Sequence, residues 1–152
     1  MIINGEVVYG QQMVIILERF LEKYANDPNI TMAGFKERFK VNLIVTASDL
    51  EDKTLRIFSP HTSPDLPVKY ACRISSGFPF YFPPLYWQKN WGKYRGMKIV
   101  GNRLVDGGLV MNLPTTILHS SKEFQMKYIG ELVDTSSIFS FTLDAAPKCK
   151  KE

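Results

Sequence analysis

A short apolar segment in the first third of the chain restricts the fold most. Residues 41–47, VNLIVTA, are rich in β-forming side chains and alternate little between apolar and polar positions. A strand with this pattern is buried on both faces, as in the parallel or mixed sheets that helices flank. The segment therefore predicts a sheet inside an α/β domain.

Helical periodicity precedes and follows this strand. Residues 11–25 alternate apolar and charged positions at helical spacing, and Asn26-Asp27-Pro28 then stops the helix. Residues 31–39 predict a short second helix, with Thr31 as its N-cap. The other predicted elements lie further along the chain. They are a strand at 55–58, a helix at 68–75 capped by Asp65, a hairpin of 97–100 with 103–105 around Gly101-Asn102, a helix from 112 to about 120 and a strand at 138–143.

Composition and charge describe one ordinary globular domain. Hydrophobic residues make up 45% of the chain and charged residues 22%, which is enough apolar material for a core. The formal charge is +4, and much of this excess lies in the last few residues. We therefore predict a single domain over residues 1–145 and a basic, disordered tail over 146–152. No long Lys/Arg block is present, so nucleic acid is not an expected partner.

Cysteine usage and the N-terminus suggest the cellular setting. Cys72 and Cys149 are far apart and form no Cys-x-x-Cys pair, which indicates neither a zinc site nor a disulfide framework. The first residues lack the basic and apolar stretches of a signal peptide, and no apolar run approaches the ~20 residues of a membrane span. The expected location is cytoplasmic or peripheral to a membrane.

Several motifs, taken in order, resemble the patatin-like phospholipase family of lipid acyl hydrolases. Residues 45–50 (VTASDL) resemble a strand end of the family, and residues 71–84 (ACRISSGFPFYFPP) resemble its helix end followed by Phe-Pro-Pro. Residues 103–114 (RLVDGGLVMNLP) match the family's strand, Asp-Gly-Gly turn and Asn-x-Pro helix start. Residues 141–144 (FTLD) are similar to a late strand. The resemblance implies the C-terminal part of a three-layer α/β/α domain with a mixed sheet.

The resemblance also implies a chemistry. Family members hydrolyse phospholipid or other lipid esters with a Ser-Asp dyad and without a cofactor or a metal. The Asp-Gly-Gly match assigns the role of dyad base to Asp106, and places Gly107 and Gly108 in a turn beside the substrate. Taken alone, an Asp-Gly-Gly sequence indicates only a turn.

The nucleophile that this dyad needs is not found in the sequence. No Gly-x-Ser-x-Gly pattern occurs, and Ser48, Ser75 and Ser76 lack the flanking glycines of a nucleophile elbow. We therefore expect a chain that supplies the aspartate and is inactive alone. Three alternatives stay open: a degenerate family member that binds lipid or protein without catalysis, one half of a split or truncated gene, and an unrelated α/β enzyme.

Other residues have both a functional and a simpler interpretation. The aromatic run over residues 78–91 fits an acyl-chain wall, a loop that contacts a membrane, or core packing. His61 and His119 have no ligand spacing and are expected on the surface. The acidic residues that imitate a calcium site are better interpreted as turn and cap residues. They are Asp49, Asp52 and Asp65.

The apolar strand also predicts a partner. If the preceding strands of an α/β domain are absent, residues 41–47 or a neighbouring strand should form an exposed edge. We expect either marginal stability, or a partner chain or N-terminal half of the domain that covers this edge.

Overall fold

The structure is a computed structural model that describes residues 2–3, 6–7, 9–111, 114–136 and 138–140. The predicted tail at 146–152 lies outside these residues. Strands and helices are interspersed along the chain. In order they are β1 (Ile2–Ile3), β2 (Glu6–Val7), α1 (Tyr9–Ala25), α2 (Met32–Phe39), β3 (Val45–Asp49), β4 (Thr54–Phe58), α3 (Val68–Ser75), β5 (Leu85–Tyr86), β6 (Arg103–Asp106), α4 (Thr115–Leu118) and α5 (Lys122–Tyr128).

The first two helices confirm the periodicity of the sequence. α1 buries Leu21 and Ala25 and packs against α3. α2 begins after Thr31, whose Oγ1 accepts a hydrogen bond from the backbone N–H of Gly34 at 3.2 Å. This bond satisfies one of the amides that a helix N-terminus leaves free, so Thr31 is confirmed as the cap.

The main sheet has the strand order β4-β3-β6-β5, and all three of its pairings are antiparallel. The predicted α/β class is confirmed. Where the resemblance implied a mixed sheet, the described residues contain no parallel pair. β4 follows β3 through a tight turn, and β6 returns antiparallel along the other side of β3.

The apolar strand is therefore inside the sheet. β3 starts at Val45 rather than at residue 41 and is paired on both sides, so of the two expected alternatives, this segment or a neighbouring strand, the segment itself does not form the edge. The edge positions are taken by β4 and by the two-residue strand β5.

Each face of the sheet has its own core. On β4, Phe58 points into the larger core and Ile57 into the smaller one, because successive side chains on a strand alternate between faces. The larger core joins the sheet to α1, α2 and α3, whereas the smaller core joins it to Ile117 of α4 and to Ile129 beyond α5. The result is a three-layer arrangement of helices, sheet and helices.

Two local predictions are wrong. α3 has the predicted bounds, but its N-cap is Pro67 with no side-chain bond, and the Asp65 side chain lies against Gly92 instead. Residues 97–100 form no strand; a bridge between Tyr94 and Met97 closes the turn there. β6 pairs with β3 and β5 because these strands offer it a buried sheet position.

The predictions for the end of the chain are confirmed only in part. The helix expected from residue 112 is the short α4, and residues 112 and 113 lie outside the described part of the chain. Of the strand predicted at 138–143, residues 138–140 are described and are not in a strand.

Candidate active site

Asp106 is the last residue of β6, and two other segments hold its backbone. Its N–H donates to the carbonyl of Gly77 at 3.1 Å, just beyond the end of α3. Its carbonyl accepts from the hydroxyl of Ser48 on β3 at 2.9 Å. It lies directly opposite Ala47 in the sheet, and opposite residues of an antiparallel pair share a face. The Asp106 side chain is therefore on the face that packs against α1 and α3.

The carboxylate of Asp106 is half-buried and fixed on one side. Its Oδ1 accepts a hydrogen bond from the backbone N–H of Gly108 at 2.7 Å. Among the described residues no donor is bonded to Oδ2, so one carboxylate oxygen is oriented and the other is available. This is the geometry that a general base needs, since the base must reach a proton with an unoccupied lone pair.

Gly107 lets the chain turn tightly after Asp106. A Cβ at this position would lie 2.5 Å from the carbonyl carbon of Thr46 and 2.6 Å from its oxygen. Backbone atoms of β3 cannot move aside cheaply, so only glycine fits at this contact. The structure thus places both predicted glycines next to the carboxylate, Gly107 through packing and Gly108 through its N–H.

The three serines considered in the sequence all have other partners or positions. The Ser76 hydroxyl donates to the carbonyl of Cys72 at 2.7 Å, and the Ser48 hydroxyl donates to the backbone of Asp106. Ser75 is half-buried in the last turn of α3. Within the described residues, none of these hydroxyls is hydrogen-bonded to the Asp106 carboxylate.

The sequence pattern did not predict a role for Arg73. It lies on α3, its side chain is buried, and burial lowers the pKa of its guanidinium. Nε donates to the carbonyl of Gly10 at 3.3 Å, and one terminal nitrogen donates to the carbonyl of Pro83 at 3.1 Å. The guanidinium also lies 4.8 Å from the ring centre of Phe82. Arg73 therefore connects the start of α1 to the loop that follows α3.

Asp49 is a turn residue, as predicted, since its Oδ1 accepts from the backbone N–H of Glu51 at 3.0 Å, and it also belongs to a buried polar network. Its Oδ2 accepts from Nε of Arg56 at 2.9 Å and from the amide of Asn102 at 2.9 Å, and Oδ1 accepts from the N–H of Asp52 at 3.1 Å. Burial by itself raises the pKa of the Asp49 carboxyl, but these hydrogen bonds and the Arg56 charge outweigh burial. The pKa therefore lies below its usual value.

The aromatic run is divided between core and surface. Trp87 and Trp91 are buried, and the Trp87 ring centre lies 5.7 Å from that of Phe58. Four aromatic side chains earlier in the run are exposed to solvent. They are Phe78, Phe80, Tyr81 and Tyr86. Core packing thus explains the second half of the run only.

The histidines and acidic residues provide no metal site within the described part of the chain. His61 and His119 are exposed, and Asp65 is separated from the Asp49 network. No group of three or more His, Cys, Asp or Glu side chains is arranged to hold a metal ion in the ranges that the structure covers. Across the same ranges, no helix has the length and apolar character of a membrane span.

The fold and the site together define a class: a three-layer α/β domain with a backbone-anchored carboxylate at the end of an inner strand. The family model of the patatin-like phospholipases matches residues 12–119, which is most of the chain. The chain therefore belongs to the patatin-like phospholipase family, and the family supports a lipid-hydrolase type of function. Neither a curated protein nor a solved structure matches the chain significantly.

Proposed function

We propose that this chain provides the base of a Ser-Asp dyad in a lipid acyl hydrolase, and that Asp106 is this base. The observation that carries the proposal is the carboxylate itself, with one oxygen held by the Gly108 N–H and the other unbonded among the described residues. Family membership supports a lipid or phospholipid ester as the substrate.

The reaction requires a serine hydroxyl at the free oxygen of Asp106. The carboxylate accepts the serine proton while the serine oxygen attacks the ester carbonyl, and the departing alcohol takes the proton back. Water then hydrolyses the acyl-serine, with Asp106 as its base. Because the sequence holds no Gly-x-Ser-x-Gly, we propose that a segment outside it provides this serine.

Hydrolysis of a short-chain chromogenic ester and of phosphatidylcholine vesicles tests this proposal. We expect the purified chain alone to show no turnover. In the assembly that includes the serine segment, we expect Asp106→Asn to lower kcat at least about a hundred-fold, because the isosteric amide cannot accept the proton. The matched control is Asp27→Asn, an exposed aspartate remote from the site, with activity within about two-fold of wild type.

The outcomes separate the possibilities. Asp106→Asn activity within a few-fold of wild type would contradict the role as base. Turnover by the chain alone that Asp106→Asn abolishes would support the base but show that a serine inside the sequence serves as nucleophile. Ser76 would then be tested first, since it precedes the Gly77 that contacts Asp106.

The second candidate is a non-catalytic member of the family that binds lipid or protein. It is favoured by the engaged hydroxyls of Ser48 and Ser76, which leave no nucleophile bonded to Asp106 among the described residues. Vesicle binding with no turnover in any assembly would support it over the hydrolase.

A further inference from the structure

The loop after α3 exposes aromatic side chains beside the candidate site. Phe80 is fully exposed, with 101% of its reference area in contact with solvent, and Tyr81 and Phe78 are 69% and 48% exposed. The loop begins after Gly77, which accepts the backbone hydrogen bond of Asp106. Exposed aromatic side chains in a group are typical of an interaction surface.

The backbone conformation of Phe80 is unfavourable for a residue with a side chain. Phe80 has φ +73°, in the left-handed region that disfavours residues with a Cβ. An asparagine or glycine would adopt this conformation more easily. A phenyl ring held there and fully exposed gains nothing from the core, so its position favours contact with something outside the chain.

The base of the loop is anchored, which keeps the aromatic side chains outward. Arg73 donates to the carbonyl of Pro83 and stacks on Phe82, and the N–H of Phe82 donates to the carbonyl of Phe78 at 3.1 Å. The exposed rings therefore lie on a turn that Arg73 and the Phe82–Phe78 hydrogen bond hold in place, whereas the ring of Phe82 packs against Arg73.

Apolar exposure continues on the other side of Asp106. Leu109 and Val110, which follow the Asp-Gly-Gly turn, are 49% and 62% exposed. Asp106 thus lies between two exposed apolar segments, at 78–81 and 109–110. A lipid substrate that leaves a membrane next to either segment would therefore be close to the Asp106 carboxylate.

The stretch of sequence that contains the loop carries charge of a single sign. Between residues 66 and 105 the sequence contains seven Lys or Arg and no Asp or Glu, whereas the rest of the chain has twelve basic and fifteen acidic residues. Lys89 and Lys98 in this segment are exposed. From residue 74 to residue 88 there is no charge at all. Of the seven basic residues, Arg73 is buried, and Lys69 and Arg103 form ion pairs with Glu18 and Glu51. An uncharged aromatic loop in a segment whose remaining charges are all positive complements an anionic lipid surface.

We propose that the loop at residues 78–81 docks on an anionic phospholipid surface, with the exposed lysines of the same segment adding electrostatic attraction. Tyrosine and phenylalanine suit the boundary between headgroups and acyl chains, where one end of the ring stays wet. The proposal deepens the proposed hydrolase function, because it names the surface from which an ester would reach Asp106.

Vesicle binding by the full chain tests the proposal without any need for catalysis. Flotation is measured with phosphatidylcholine vesicles, with and without phosphatidylserine. We expect binding that is stronger with phosphatidylserine and weaker as salt is raised from about 0.15 M to about 1 M. The double variant Phe80→Asn/Tyr81→Ser should bind at least about ten-fold more weakly, since it loses the inserted rings while asparagine suits the backbone at residue 80.

Matched variants separate this surface from general effects. Phe139→Ser removes an exposed phenyl outside the loop and should bind as wild type does. Lys89→Gln/Lys98→Gln should weaken binding to the phosphatidylserine vesicles at least about five-fold, whereas the exposed Lys122→Gln should leave it unchanged.

Three results would overturn the proposal. One is no vesicle binding by the wild-type chain. Another is equal binding by wild type and the loop variant. The third is a dimer in solution that the loop variant converts to monomer, which would make the loop an interface between copies. None of these results depends on turnover, so a failed hydrolase assay leaves the docking test intact.

Discussion

A carboxylate becomes chemically useful or structurally necessary according to what surrounds it. Asp106 and Asp49 both lie on inner strands of the same sheet. Asp106 is half-buried, and the backbone holds it through one oxygen, whereas Asp49 is fully buried and binds Arg56 and Asn102. The first arrangement leaves an acceptor available for a proton, and the second uses its acceptors to hold the fold together.

We expect Asp49→Asn to lower the free energy of unfolding by about 3 kcal/mol at neutral pH. The amide cannot neutralise Arg56, which is itself buried and would keep only the half-exposed Asp52 as its counter-charge, and a poorly compensated buried charge is costly. Urea denaturation measures the loss. Glu51→Gln is the control: its ion pair with Arg103 is exposed to solvent, so its removal should change the unfolding free energy far less.

The stability difference between wild type and Asp49→Asn should also depend on pH, and the sign of this dependence follows from the pKa of Asp49. The pKa of Asp49 is depressed in the folded state, so its stabilisation is complete above the unfolded-state pKa of about 3.9 and is lost as pH falls through the lower folded-state value. The difference in unfolding free energy between wild type and Asp49→Asn should therefore shrink from pH about 7 to pH about 3. A difference that stays constant would contradict the depressed pKa.

At the scale of elements, the sequence predicts what local periodicity determines. The apolar spacing of residues 11–25 and the Thr31 cap are signals that a helix needs for its own formation, and both are confirmed. The pairing of β6 is different, because its partner β3 lies over 50 residues earlier and only tertiary packing selects it. Gly101-Asn102 has a composition typical of hairpin turns, but the Asn102 side chain instead donates a hydrogen bond to the Asp49 carboxylate.

In the candidate site, too, the residues set by local sequence were predictable and those set by tertiary packing were not. The motif predicts Asp106 and its glycines because a turn and its chemistry lie in consecutive residues. It does not predict Arg73, whose partners Gly10 and Pro83 are brought together only by packing of α1 against α3. An arginine on the buried face of a short helix was the single local signal.

Arg73→Lys tests whether the Arg73 side chain holds α1 and the loop after α3 together. A lysine has one ammonium group and cannot reach both carbonyls in the geometry of a guanidinium, so we expect a loss of about 1–3 kcal/mol in unfolding free energy. The anchored loop at residues 78–84 should also be cleaved faster by limited proteolysis. Arg19→Lys, exposed on α1, is the control and should change neither quantity. Unchanged cleavage of the loop in Arg73→Lys would contradict the anchoring role.

A further exposed apolar surface, separate from the loop at residues 78–81, lies on α1. β3 is enclosed by two strands, but Ile16, Phe20 and Tyr24 are all more than half exposed on α1. Their spacing of four residues places them along one side of the helix, so they form a continuous apolar stripe. The part of α1 that packs on α3 uses other residues, including Leu21.

We expect this stripe to make the isolated chain self-associate. Burial of apolar area contributes about 25 cal/mol per Å², so three adjoining large side chains favour association as concentration rises. Sedimentation velocity should show a coefficient that increases with concentration for wild type. Ile16→Lys/Phe20→Lys should reduce the increase, because the lysines keep helix propensity while they remove apolar area and repel one another. Val41→Lys changes one exposed apolar side chain outside the stripe and should associate as wild type does. A wild-type chain that remains monomeric at every concentration and melts cooperatively would show that the stripe needs no cover.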